Sequence, residues 1–252
     1  MRPSDNFESP ESFHYFGPYH SSSRSVRAMP KPFSEHRTIA VPTGNSILAQ
    51  CRKPSGWLGR FILWKMNRQH SQLTDWGLTH ISIGQSDTIL DVGCGGGRTV
   101  SVLAAAASQS KVYGLGCSHE GVAASTRNNA PAIASGHVQI RQESVSQLPF
   151  SDGMFDLVTA VETHYYWPDL PADLREILRV PKPGGVLVSI AEAYKGANSR
   201  MSRLAEKYED RTGMTLLRAD EHCALFENAG YQDVRVIEND AKGWICCIGR
   251  RP

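Results

Sequence analysis

Long hydrophobic runs are missing from this 252-residue chain. No apolar stretch approaches the roughly 18–20 residues that cross a bilayer, so neither a membrane-spanning helix nor a membrane partner is expected. The start lacks the basic-then-apolar pattern of a secretion signal. The six cysteines (Cys51, Cys94, Cys117, Cys223, Cys246 and Cys247) form no C-x-x-C pair and no zinc-ligand spacing. They read as reduced thiols of a cytoplasmic protein, and no metal site is expected. A large excess of charge is also lacking. The net +2 is too small to imply nucleic acid, and no basic patch interleaves with aromatics.

What charge imbalance exists lies at the front. Residues 1–55 hold seven basic and four acidic groups, a net +3, whereas the remainder holds 20 and 21, a net −1. Seven of the fourteen prolines also fall in residues 1–55, beside Ser21-Ser22-Ser23. Such a stretch buries too little apolar surface to order itself, and a disordered N-terminal extension is expected there. Asp5, Glu8 and Glu11 argue against an organelle presequence, which is poor in acids.

From Trp57 the pattern turns helical, with Trp57, Leu58, Phe61 and Ile62 on one face. Strands and helices then alternate. Strands are expected at Thr88–Val92, Lys111–Leu115, His137–Arg141, Phe155–Val161 and Val186–Ala191, the last preceded by the turn Pro181–Gly185. Helices are expected at Arg98–Ala107, near His119–Asn129, at Leu170–Arg179 and near Ala219–Ala229, where Gly230 suits a left-handed cap. The segments Asp233–Glu238 and Gly243–Gly249 read as a hairpin, with Cys246 and Cys247 alternating across the second strand. The fold class is therefore α/β: a doubly wound, mostly parallel sheet with an antiparallel C-terminal hairpin.

Ligands of such sheets bind at the carboxyl ends of the strands. The first expected strand ends in Ile89-Leu90-Asp91-Val92-Gly93-Cys94-Gly95-Gly96-Gly97. Glycines at alternate positions bare the backbone for close approach. Arg98 stands where a dinucleotide fingerprint wants its third glycine, and the Gly-Lys-Ser/Thr of a P-loop is absent. An acid before the glycines suits a cationic ligand end. Asp91 either holds such a cation or only braces the turn, and Cys94 reads as packing, not as a nucleophile.

This run resembles the first motif of the class I S-adenosylmethionine (SAM)-dependent methyltransferases, an apolar pair, Asp or Glu, then G-x-G-x-G. Three further stretches carry the same resemblance: Leu148-Pro149-Phe150 to Phe155-Asp156, Val161 to Trp167, and Arg179-Val180-Pro181-Lys182-Pro183-Gly184-Gly185, where Pro181 replaces a leucine. The resemblance covers residues 56–252 and is nearest to the small-molecule branch, similar to quinone and sterol methylating enzymes. It implies SAM as cofactor, a small-molecule acceptor, and a cofactor site at Asp91, Gly93, Cys94, Gly95, Gly97, Gly116, Ser118, Ser144 and Val145.

Two positions depart from the pattern. The ribose-binding acid after the second strand is Gly116, with Glu120 the nearest substitute, and the acid near the adenine is Ser144. Weakened SAM binding, or binding rescued by another group, is the consequence, and a degenerate, non-catalytic SAM fold is the alternative. An NAD oxidoreductase is a second rival, disfavoured by the missing glycine and the missing ribose acid. After the fourth strand, Glu162-Thr163-His164-Tyr165-Tyr166-Trp167 would lie over the methyl group. His164 or Glu162 is the right type for a base, and Tyr165, Tyr166 or Trp167 offers an aromatic face to a sulfonium. The opposing reading is that these side chains only pack or fix the backbone. Glu192, Tyr194 and Lys195 are weaker pocket candidates, and His70, His80 and His222 read as surface or satisfied histidines.

Overall fold

A computed structural model describes residues 71–252. The expected extension at 1–55, the helix from Trp57, Cys51 and His70 lie outside the described residues. Helix α1 (Ser71–Leu78) precedes β1 (Ile89–Val92), α2 (Arg98–Ala106), β2 (Val112–Gly116), α3 (His119–Asn128), α4 (Ala130–Ala134), β3 (Val138–Gln142) and β4 (Phe155–Val161). A 3-10 turn at His164–Tyr166 leads into α5 (Leu170–Arg179) and β5 (Pro181–Ala191). Then come α6 (Arg200–Lys207), α7 (Glu209–Thr212), α8 (Ala219–Ala229), β6 (Gln232–Asn239) and β7 (Trp244–Arg250).

The seven strands form one sheet in the order β3-β2-β1-β4-β5-β7-β6. The first five run parallel, and β7 is antiparallel to both neighbours. Chain order reverses between β1 and β4, which opens a crevice at their carboxyl ends. Apolar layers cover both faces. One joins Leu73 of α1 and Val100 and Leu103 of α2 to Ile89, Val112 and Val188. The other joins Leu174 and Ile177 of α5 and Phe226 of α8 to Leu90, Val158 and Leu187. Cys246 belongs to the first layer and Cys247 to the second, the alternation expected of a strand.

Local signals explain the element ends. Asp169 caps α5 by accepting from the Ala172 amide at 3.0 Å, while Asp173 accepts from the Asp169 amide at 3.1 Å. Gly230 closes α8 with φ of 105°. One expectation changes. The Pro181–Gly185 turn lies inside β5, because Phe155 pairs with Pro181 and Leu157 with Val186, so Lys182 to Gly185 bulge out of the ladder. Three short helices lacked a periodic signal. Pro131 opens α4, and Ser199 caps α6 by accepting from the Ser202 amide at 2.9 Å.

Candidate functional site

Because β1, β2, β3 and β4 are parallel neighbours, their carboxyl ends share one edge of the sheet. That edge brings together the Asp91–Gly97 loop, Gly116 to Ser118, Ser144 with Val145, and the Glu162–Trp167 segment.

Asp91 pairs in register with Gly114 on one side and Thr159 on the other. It is 2% exposed. Its Oδ1 accepts from the Thr159 hydroxyl at 2.8 Å, and no other hydrogen bond reaches this carboxylate among the described residues. Burial pushes the carboxyl up to about 7, although the Thr159 hydroxyl draws it back. A carboxylate so desolvated and so lightly bonded has bonding capacity left for a cation.

The loop beyond it is held from outside. The Gly93 and Cys94 amides donate to the Leu115 carbonyl at 2.7 and 2.9 Å. Asn128 Nδ2 donates to the Gly96 carbonyl at 2.7 Å, and Asn129 Nδ2 to the Gly97 carbonyl at 3.0 Å. The glycines do different jobs. A Cβ at Gly93 would stand 2.3 Å from Thr163 Oγ1, and one at Gly97 would stand 2.5 Å from Ser125 Oγ, so both let neighbouring segments close in. Among the described residues, a Cβ at Gly95 would meet only the Gly93 carbonyl oxygen at 3.8 Å. Gly95, with φ of 47°, therefore faces a space that no described residue fills and that a ligand can enter. These are the features that fit SAM, whose amino-acid end carries an ammonium.

Cys94 is buried in the α1–α2 layer, and its thiol is pushed up to about 12, first by burial and then by Asp91. It packs. Arg98, in the third glycine's place, reaches both carboxylate oxygens of Asp75 at 2.9 and 3.0 Å and ties α2 to α1.

At the β2 end, Gly116 does not need to be glycine sterically. A Cβ there would lie 3.6 Å from Cys94 Sγ and 3.7 Å from Val122 Cγ2, ordinary contacts. Its carbonyl accepts from the Glu143 amide at 3.1 Å, which holds the β2 and β3 ends side by side. Ser118 caps α3 through the Gly121 amide at 3.2 Å. Glu120 stands in the first turn of α3. Ser144 is exposed, with its hydroxyl accepting from the Ser146 amide at 3.2 Å, and Val145 is buried in the core.

The β4 end is tied inward. Glu162 has φ of 58°, a left-handed conformation rare outside glycine. Its Oε1 accepts from the Glu192 amide and from the Tyr165 hydroxyl, the latter at 3.0 Å. Tyr165 is buried, accepts from the Ala193 amide at 3.3 Å, and is pushed well above the usual phenol range, first by burial. His164 is 4% exposed. Its Nδ1 lies 3.4 Å from Ser189 Oγ and its Nε2 lies 3.3 Å from His222 Nε2. His222 Nδ1 lies 2.9 Å from the Arg218 carbonyl, which can only accept.

The tautomers follow. His222 carries its proton on Nδ1, so its Nε2 accepts. His164 must then donate from Nε2 and accept the Ser189 hydroxyl at Nδ1. Both rings are held below the ordinary histidine value, His164 well below it, by burial first. Both nitrogens of His164 are thus committed inside the protein, and none of the three expected catalytic side chains is uncommitted. His222 is a satisfied buried histidine, as expected, whereas the half-buried His80 leaves Nε2 without a hydrogen-bond partner among the described residues.

Arg179 is the hub of the remaining sequence hallmarks. It donates to the Phe150 and Leu148 carbonyls at 2.6 and 3.0 Å, and to Asp152 and Glu176 at 2.7 Å each. Glu176 in turn accepts from the Leu148 amide at 2.9 Å. This clamp fixes the segment that follows Ser144 and Val145. Lys182 pairs with Asp156 at 2.8 Å, and Asp156 also accepts from the Thr88 amide. Of the weaker pocket candidates, Lys195 pairs with Glu209 at 3.1 Å and the Tyr194 hydroxyl donates to Asp240 at 3.3 Å. The bracing groups Thr159, Asn128 and Asn129 carried no motif of their own, and Thr163 lay unremarked inside the Val161–Trp167 stretch. The only signal for Thr159 is a polar residue inside an apolar strand.

A family model described as a methyltransferase domain matches residues 90–189. The chain is 34% identical over 128 residues to a 2-methyl-6-phytyl-1,4-hydroquinone methyltransferase of a Synechocystis strain, covering 51% of this chain and 38% of that protein. It is 30% identical over 164 residues to cycloartenol-C-24-methyltransferase 1 of Oryza sativa, covering 62% and 47%. The matches thus span less than half of either relative. A SAM-dependent methyltransferase structure from Aquifex aeolicus superposes with a TM-score of 0.64 at 19% identity, covering 77% of this chain and 98% of the other, a likeness of fold. Asp91 and its glycine loop lie inside the matched stretch, at the strand edge where this fold receives its ligand, so residues 90–189 are similar to a methyltransferase domain over the part of the chain that carries the candidate site.

Proposed function

We propose that residues 56–252 form a methyltransferase domain that transfers a methyl group from SAM to a small, largely apolar acceptor. The observation that carries the reading is the buried, lightly bonded Asp91 carboxylate beside the open face of Gly95. SAM supplies the methyl group on a sulfonium. Asp91, ionised, holds the ammonium end. The Gly93–Gly97 backbone takes the amino-acid chain, Gly116 and Ser118 border the ribose, and Ser144 and Val145 border the adenine.

In-line displacement at a methyl group needs alignment more than proton transfer, and positioning alone supplies much of the rate. The inward bonding of Glu162, His164 and Tyr165 suits that division of labour, with the β4 end acting as a rigid wall. The relatives act, by their names, on a phytyl-hydroquinone and on cycloartenol, which supports an apolar acceptor here. The five described cysteines are free, which supports a cytoplasmic setting. No helix among the described residues is long and apolar enough to cross a membrane. The net charge of +2 supports an acceptor other than nucleic acid.

The test is titration calorimetry of the full chain with SAM and with S-adenosylhomocysteine. Micromolar binding of both supports the reading, and no binding up to millimolar concentration sinks it. Release of labelled methyl groups into apolar acceptor mixtures then identifies the substrate class.

A further inference from the structure

Two large hydrophobic side chains stand exposed among the described residues, Met201 at 46% and Leu204 at 49%. Both belong to α6. At i and i+3 they lie roughly 60° apart on one side of the helix. The opposite side carries Ser202, which is fully buried, and Glu206, whose carboxylate accepts from the Gly196 amide at 2.7 Å.

The outward face is otherwise basic. Arg200, Arg203 and Lys207 are exposed on it, and Arg211 follows on α7. Lys207 and Arg211 each lie 5.5 Å from the ring of Tyr208, between the two helices. Of the neighbouring acids, Glu206 and Glu209 are half-buried and bonded inward, and Asp210 is the one exposed acid beside the four cations. Glu209 accepts from the Leu216 amide at 3.0 Å and pairs with Lys195. Apolar side chains beside a basic arc, with a tyrosine between cations, match the chemistry of a helix lying in a lipid headgroup layer.

We propose that the α6–α7 face docks on an anionic bilayer surface. Met201 and Leu204 enter the acyl boundary, and Arg200, Arg203, Lys207 and Arg211 meet lipid phosphates and carboxylates. The expectation of no membrane partner rested on the lack of a spanning run, which does not bear on a surface contact. The segment follows the carboxyl end of β5, and the Glu192 amide bonds to Glu162 at the neighbouring β4 end. Docking there brings the acceptor side of the sheet edge to the lipid, so an apolar acceptor can pass without crossing water. That last step rests on the methyl-transfer reading, whereas the docking does not.

The experiment is co-sedimentation of the full chain with vesicles of phosphatidylcholine alone or doped with phosphatidylserine. Wild type is expected to sediment with the doped vesicles, and less as salt rises past the physiological range. Met201→Asp with Leu204→Asp should abolish sedimentation. Lys207→Ala and Arg211→Ala should each weaken partition about fivefold. SAM titration of the same variants should match wild type, which separates this proposal from the cofactor reading. No sedimentation of wild type, equal sedimentation with neutral vesicles, or variants that sediment like wild type would each overturn it. The last outcome assigns the contact to another part of the chain.

Discussion

The loop after β1 and the segment after β4 face the same edge of the sheet, yet they are finished differently. In the first, among the described residues, a buried carboxylate has one hydroxyl donor and Gly95 borders open space. In the second, every candidate side chain is already bonded: Glu162 to an amide and a phenol, Tyr165 to Glu162, and His164 to Ser189 and His222. A region left incomplete by its own fold is one that a ligand completes. A region closed on itself shapes the ligand's surroundings. Residue type alone made the β4 end look the more reactive of the two, and bonding reverses that ranking.

The sharpest way to break the comparison is at Asp91. Asp91→Asn should weaken SAM binding on the order of a hundredfold or more, because a buried charge pair loses one member. Stability should move the other way. A carboxyl with its folded value raised to about 7 is ionised at a cost. That cost is absent at low pH, grows as pH rises from the unfolded carboxyl's range, and is complete above about 7. The ligand-free variant should therefore be about 2–4 kcal/mol more stable than wild type at pH 8 and nearly equal to it at pH 4. Urea unfolding at the two pH values reads this directly. A variant that binds normally would reduce Asp91 to a brace.

Gly116→Asp comes next. The ordinary Cβ contacts admit the side chain, and a restored charge-assisted bond to the ribose is worth about 1.5–3 kcal/mol. SAM affinity should rise about ten- to a hundredfold in calorimetry. No gain would mean that the ribose is held by another group.

His222→Ala sharpens the other side. It leaves the His164 Nε2–H without an acceptor in the core, costing about 1–3 kcal/mol in denaturant melts. The methyl-transfer rate of the folded variant should stay within a few-fold. A loss of three orders of magnitude with the fold intact would instead make His164 a proton carrier.

The smallest effect is the pH response of the histidine pair. Both folded values are depressed, so their stabilisation is full above the unfolded histidine value near 6.5 and falls away below it. In an Asp91→Asn background, which removes the opposing carboxyl effect, unfolding free energy should drop as pH falls from 6.5 to 5.5. A flat profile would contradict the neutral, chained tautomers.

Much of this was legible in the chain because the sheet is doubly covered. Strands such as Phe155–Val161 had to be mainly apolar, and helices such as Leu170–Arg179 had to show one apolar face and an acidic start. The glycine loop was legible because its purpose is backbone exposure, which glycine alone announces. What stayed hidden was pairing across distance. Thr159 beneath Asp91, Asn128 and Asn129 behind the loop, and the His164–His222 bond join residues far apart in sequence and carry no local pattern. The bulge within β5 was read as a turn outside the strand, since proline and glycine mark an interruption without telling whether pairing resumes before it. Helix α6 escaped for a related reason: its outward face mixes methionine and leucine with arginine, which blurs the apolar stripe.

The position of β7 has a consequence for how the molecule assembles. It is threaded between β5 and β6, yet it follows both in the chain. Until Trp244–Arg250 arrives, β5 and β6 each present an open ladder edge, the geometry that invites pairing with a stranger. The same strand gives Cys246 and Ile248 to one apolar layer and Cys247 to the other. Both layers therefore wait on a single insertion, made across a long stretch of intervening chain and slow for that reason. A substitution that delays β7 would first appear not as lost methyl transfer but as aggregates collected during synthesis, at temperatures where the finished protein is sound.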